Sequence, residues 1–215
     1  DFVNTNLQAD GVNNGTKKFI KIITDRYFNW MENKFFFQKL KKFADRNALI
    51  TETGQIIKYS ELLININKIE NLIKVNRARI FLLADNSYEF IFSYYGMLKK
   101  KSIIFLLNSS LEKNKIDSLI KIYEPYFIFD CEGLHKDTFN NFVEIEGRGK
   151  LKIFENKIKK KFDSSQDLAQ LISTSGSTGS PKFVKQSFEN IEINTKDIVK
   201  ALNLKKDDRT ITTMN

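Results

Sequence analysis

Three short runs are apolar at every position: Ile80–Ala84 (IFLLA), Ile103–Leu107 (IIFLL) and Tyr126–Phe129 (YFIF). They constrain the fold more than any other feature. Side chains of a strand alternate between the two faces of a sheet, so a strand without polar alternates has two faces to bury. Between the runs lie two segments of helical periodicity. The first is expected from about Ser87 to Lys100, opened by a capping-box-like Asn86 and Glu89. The second is expected to begin at Ser110, with Ile116, Leu119, Ile120 and Tyr123 on one face and Pro125 ending it. Apolar strands alternating with amphipathic helices make a parallel sheet covered on both sides, with right-handed crossovers. The expected fold class is therefore α/β, a three-layer αβα arrangement with a mostly parallel sheet.

The flanks extend this unit. Residues 1–16, rich in Asn and Gly, read as a flexible N-terminal arm, and 17–215 as one further unit. Phe19 to Phe43 reads as helical and dense in aromatic core residues. ALITETGQIIKYSEL (48–62) reads as strand, Thr-Gly turn and strand. A helix N-capped by Ser60 then buries Leu62, Ile66, Ile69 and Ile73. Residues 131–166 are polar and dotted with glycine, and read as a connecting region with one strand at Leu151–Phe154. A strand from Leu168 to Ile172 leads into residues 173–182. Ser187 then caps a helix carrying Phe188, Ile191, Ile198, Val199 and Leu202, and a last strand begins at Arg209.

Composition narrows the function classes. Of 215 residues, 41% are hydrophobic and 28% charged, which suits a globular chain with a real core. No apolar run approaches the ~20 residues of a membrane helix, and the polar start does not resemble a signal peptide. The chain opens on Asp1 rather than Met, so a trimmed or processed start is expected. One Cys and one His exclude an intramolecular disulfide framework and a Cys/His zinc site. Cys131 and His135 stand four apart in CEGLHKD, but Gly133 between them argues for a turn, not a helical face that would make them a catalytic pair. A reduced, cytoplasmic protein is expected. The net charge of +9 is spread over the chain, and its densest cluster, NKIKKKF (156–162), has no Gly-aromatic RNA-binding signature beside it. A solvated surface accounts for it, and no specific nucleic-acid partner is expected.

The stretch STSGSTGSPK (173–182) carries the chemistry. Gly176 and Gly179 let the backbone come close to a ligand and adopt positive φ. Thr174, Ser175, Ser177 and Thr178 offer hydroxyl groups, successive main-chain N–H groups can form an anion-binding concavity, and Lys182 adds a mobile charge suited to phosphate. A polyphosphate is the ligand these groups suit best. A flexible linker would keep no strict order among its small residues and no Lys fixed after Pro. Neither common phosphate fingerprint fits. Gly176 is followed five positions later by Pro181 rather than Gly, and Gly176 and Gly179 have no third glycine for G-x-G-x-x-G.

LISTSGSTGSPKFV (171–184) resembles the phosphate-binding signature of the adenylate-forming superfamily, T-S-G-[ST]-T-G-x-P-K-G, matching it at Thr174, Ser175, Gly176, Ser177, Thr178, Gly179, Pro181 and Lys182. That superfamily comprises acyl-CoA and aryl-CoA synthetases, peptide-synthetase adenylation domains and luciferases. ADRNALI (44–50), KYSEL (58–62) and YGMLKKKSIIFLLNSSL (95–111) resemble its upstream segments in the same order, so the resemblance spans most of residues 40–213. Three positions depart from the pattern: Phe183 and Ser102 stand where Gly is usual, and Phe188 where His is frequent, while Asn190 conforms.

The resemblance implies the N-terminal part of an AMP-binding (adenylation) domain. It implies activation of a carboxylic acid substrate by ATP with Mg2+, giving an acyl-adenylate and pyrophosphate, followed by transfer to the thiol of CoA or an acyl-carrier protein. Thr174, Ser175, Gly176, Ser177, Thr178, Gly179 and Lys182 would hold the β- and γ-phosphates. The family's catalytic residues correspond to positions beyond Asn215, so the 215 residues alone are expected to be inactive. The other reading is a naturally shortened, non-catalytic remnant or binding module of the same fold.

Overall fold

The computed structural model describes residues 18–20, 37, 39–135, 139–158, 167–174, 182–205 and 208–212. In chain order the elements are β1 (Lys18–Ile20), β2 (Asn47–Ile50), β3 (Ile56–Lys58), α1 (Tyr59–Leu72), β4 (Arg79–Ala84), α2 (Tyr88–Lys99), β5 (Ile103–Asn108) and α3 (Lys113–Tyr123). They continue with β6 (Phe127–Asp130), β7 (Phe142–Arg148), β8 (Leu151–Asn156), β9 (Leu168–Thr174), β10 (Lys182–Ser187), α4 (Phe188–Ala201) and β11 (Thr210–Thr212).

The three apolar runs become β4, β5 and β6, with β4 hydrogen-bonded in parallel to both others. Successive β4 side chains go to opposite cores. Ile80 and Leu82 pack with Ile66, Ile69, Met97 and Leu98 of α1 and α2. Phe81 and Leu83 pack with Ile116 and Leu119 of α3. Both faces are thus sealed, and the three layers follow from the strand's composition.

The full sheet has seven strands in the order β10-β9-β5-β4-β6-β8-β7. β9, β5, β4 and β6 are mutually parallel. β10 pairs antiparallel with β9 at one edge, and the β7–β8 hairpin pairs antiparallel with β6 at the other. Two small antiparallel pairs, β2–β3 and β1–β11, complete the strands described. Among the described residues no helix is long and apolar enough to cross a membrane.

Several local expectations are corrected. Residues 131–166 supply β7 and β8 to the sheet, not a connection with a single strand. Phe19 and Ile20 lie in β1, not in a helix; most of the expected Phe19–Phe43 helix falls outside the described residues, as does the 1–16 arm. Ser60 does not cap α1: the helix starts at Tyr59, and the Tyr59 and Ser60 N–H groups donate to the carbonyls of Arg46 and Ala44. The cap of α2 is Ser87, which accepts from the Phe90 N–H, and not Asn86. Ser110 does not open α3, because its N–H and hydroxyl both bond to Asn108 Oδ1 in a turn. Other readings stand: the β2–β3 turn has Gly54 at φ 81°, and Ser187 with Asn190 forms a capping box on α4.

α1 and α2 approach closely at Gly96. A Cβ there would sit 2.6 Å from Ile69 Cβ and 3.0 Å from the Ile66 carbonyl oxygen, neither of which is the end of a flexible side chain. Overpacking of this kind costs ~1–3 kcal/mol, whereas replacing a helical Gly regains ~1 kcal/mol of propensity with Ala and less with Val. Gly96→Val is therefore expected to lower the urea unfolding midpoint markedly and Gly96→Ala slightly. An unchanged midpoint for Gly96→Val would contradict the close helix contact.

Candidate phosphate-binding site

β9 extends parallel to β5, with Ala169 and Leu171 buried. It runs to Thr174, two residues further than the sequence suggests, and is followed by β10 rather than by a helix. The ladder sets Thr174 opposite Lys182, Phe183 opposite Ser173 and Gln186 opposite Gln170. The two ends of the Ser/Thr/Gly stretch are thereby brought together at the carboxyl end of a parallel strand, the end at which open α/β sheets hold ligands. Lys182 is exposed there. Ser175, Gly176, Ser177, Thr178 and Gly179 lie outside the described residues.

The hairpin is anchored on both faces. On one, the Phe183 ring meets Phe105 of β5 at 5.6 Å and Tyr123 of α3 at 5.4 Å, both nearly edge-on, while Phe105 and Tyr123 lie 4.9 Å apart. Such pairs contribute ~0.5–1.5 kcal/mol each beyond burial. On the other face the Tyr94 hydroxyl of α2 donates to Gln170 Oε1 at 2.7 Å, and Gln170 Nε2 donates to Gln186 Oε1 at 2.6 Å. Burial pushes the Tyr94 phenol well above its usual range, so it stays protonated as a donor. At the amino end of β9, Arg77 donates to the carbonyls of Leu168 and Lys101. The sequence reading missed this support, because its signal is long-range: residues up to 91 apart meet.

A separate cavity of about 340 Å³ opens beside the carboxyl end of β4. The β2–β3 turn, the start of α2 and the β7–β8 turn line it, with Glu52, Asp85, Glu89 and Lys150 as its charged groups. Asp85 Oδ1 accepts from both the N–H and the hydroxyl of Ser87. Gly149, at φ 60°, lies so close to Glu89 that a Cβ would be 2.6 Å from its Oε1. Lys182 does not line this cavity.

The Cys131–His135 stretch behaves as a turn. The fully buried Asp130 accepts from the backbone N–H groups of Gly133 and His135. Burial, reinforced by the charges of Asp85, Asp130, Glu89 and Glu132, pushes the Cys131 thiol well up. That is the opposite of what a nucleophilic thiolate requires.

The chain belongs to the AMP-binding enzyme family, whose model matches residues 36–215. No curated protein matches the sequence. Among solved structures, apo MatB from Rhodopseudomonas palustris superposes with a TM-score of 0.57 at 16% identity, covering 82% of this chain and 38% of its own. The o-succinylbenzoate CoA synthetase MenE from Bacillus subtilis, in complex with its acyl-adenylate intermediate, gives 0.56 at 19% identity, covering 84% and 47%. The inhibitor-bound N-terminal domain of FACL13 from Mycobacterium tuberculosis gives 0.53 at 17%, covering 74% and 45%. At these identities the likeness is one of fold, and the chain spans 38–47% of the length of these three.

Two outcomes test this description. Gln170→Leu leaves the buried Tyr94 hydroxyl without its acceptor, at ~1–3 kcal/mol. Adding Tyr94→Phe is expected to restore part of that loss in urea unfolding; a double variant no more stable than the single would break the proposed chain of bonds. For Cys131 the folded pKa lies above the unfolded value of 9.0, so its contribution is complete below pH 9 and is lost as pH rises beyond it. The unfolding midpoint is expected to fall above pH 9, less steeply in Cys131→Ala, and an identical slope would contradict the buried thiol.

Proposed function

We propose that this chain supplies the phosphate-binding part of an ATP-dependent acyl-activating ligase, which converts a carboxylate and ATP into an acyl-adenylate and pyrophosphate and passes the acyl group to the thiol of CoA or an acyl-carrier protein. The observation that carries the reading is the register of Thr174 against Lys182, which brings the two residues flanking the Ser/Thr/Gly stretch side by side at the carboxyl end of a parallel strand. Membership of the AMP-binding enzyme family supports it.

The donor chemistry fits a polyphosphate. An ammonium group stands at one end of the motif and a hydroxyl-bearing residue at the other, and the glycines between remove steric bars to close backbone approach. Bound there, ATP supplies the electrophilic α-phosphorus and pyrophosphate as leaving group. The chain's own contribution is positioning and neutralisation of charge: Lys182 would balance phosphate charge, and Thr174, Ser175, Ser177 and Thr178 are the hydroxyl-bearing residues available to the β- and γ-phosphates. Mg2+ enters this reading as the companion of the nucleotide.

On this reading the 215 residues bind MgATP or pyrophosphate weakly and form no acyl-adenylate by themselves. Titration calorimetry with MgATP and with pyrophosphate is the direct test. Lys182→Ala removes a charge-assisted contact of ~1.5–3 kcal/mol, and is expected to weaken binding about ten-fold or more. Absence of binding to the unaltered chain would overturn the phosphate-site assignment. Carboxylate-dependent acyl-adenylate formation by the 215 residues would overturn the division of the catalytic machinery.

A further inference from the structure

We propose that Phe183 is a positioning residue for Lys182: its ring, wedged between Phe105 and Tyr123, fixes the start of β10 and with it the point from which the Lys182 ammonium is extended. The proposal rests on the phosphate-binding reading of the hairpin.

Among the described strands β10 lies at the sheet edge and pairs with β9 alone, and the ends of such strands fray where no side chain holds them. Along β10, Lys182, Val184 and Lys185 are exposed, and Phe183 is the residue packed against the sheet core on the α3 side. Its partners are firmly placed. Phe105 is 3% exposed in the middle of β5, and Tyr123 is the last residue of α3. The second anchor of β10, Gln186 on Gln170, is four residues away and cannot hold the start of the strand. Phe183 is not among the residues with positive φ, so its backbone has no call for the glycine usual in the motif. The side chain therefore occupies this position without strain and adds a contact that glycine cannot make.

The consequence for binding is one of preorganisation. Lysine is a compact charge on a flexible four-carbon stem, and it loses conformational freedom when it settles on a phosphate. If the strand start must also be ordered at that moment, the affinity falls. A core-anchored Phe183 means that this ordering is complete before the ligand arrives.

The test is calorimetric binding of MgATP and of pyrophosphate to the chain and its variants. Phe183→Gly is expected to weaken both about five-fold, Phe183→Leu to stay within about two-fold, and Tyr123→Leu, on a different element, to weaken both about three-fold. The deciding measurement is a cycle with Lys182→Ala. If Phe183 acts through Lys182, adding Phe183→Gly to Lys182→Ala costs little more. If it costs the same factor as in the unaltered chain, Phe183 only supports the fold and the proposal fails. Should Phe183→Gly not fold, Tyr123→Leu with Lys182→Ala gives the same cycle. An unaltered chain that binds neither ligand overturns the phosphate-site reading itself; unaltered binding together with unchanged binding by Phe183→Gly overturns this inference alone.

Discussion

Burial of β4 on both faces is the constraint from which the rest of the molecule follows. Ile80, Phe81, Leu82 and Leu83 are all 0% exposed, and no single layer could achieve that for four consecutive residues of alternating direction. Two helices must cover one face and a third the other. The parallel neighbours β5 and β6 then place their carboxyl ends on the same edge as that of β4. β9 joins this set through β5, so the motif that follows it is carried to the same edge without any feature of the motif itself being responsible.

That edge is divided electrostatically. The hairpin side presents Lys182, while the cavity beside β4 gathers three carboxylates, Glu52, Asp85 and Glu89, against one Lys150. On the reading proposed above, a polyphosphate would meet the Lys182 charge at the hairpin and not the carboxylates of the cavity. Apart from Arg77 at the amino end of β9, the described supports of the hairpin are uncharged side chains. They are aromatic edges on one face and a chain of neutral hydrogen bonds on the other, which hold the strand without adding charge near Lys182.

How much of this was legible in the sequence depends on whether the deciding contact was local. The central strands, the buried face of α1 and the Ser187 cap could be read directly, because each is a pattern within a few residues. The β10 strand could not: KFVKQS is half solvated and shows no clean alternation, since only Phe183 reaches the core on its side. β7 was hidden similarly, with most of Phe142–Arg148 exposed and its register shifted between Glu144 and Glu146. Ser60 and Ser110 look like caps in isolation, but a carbonyl of Ala44 and the side chain of Asn108 meet their N–H groups instead. For the candidate site, residue types and their order were visible, while the antiparallel register that brings its ends together was not.

The same register sets unequal rules for change in this part of the gene. Adding or removing a codon between positions 174 and 182 leaves the faces of β9 and β10 as they are, since the ladder outside is untouched. A single codon gained or lost inside β10, N-terminal to Gln186, turns Phe183 outward or sends Gln186 away from Gln170, because successive residues of a strand face opposite ways. Length is therefore held in the arms by packing, and between them by the spacing that the proposed phosphate contacts require.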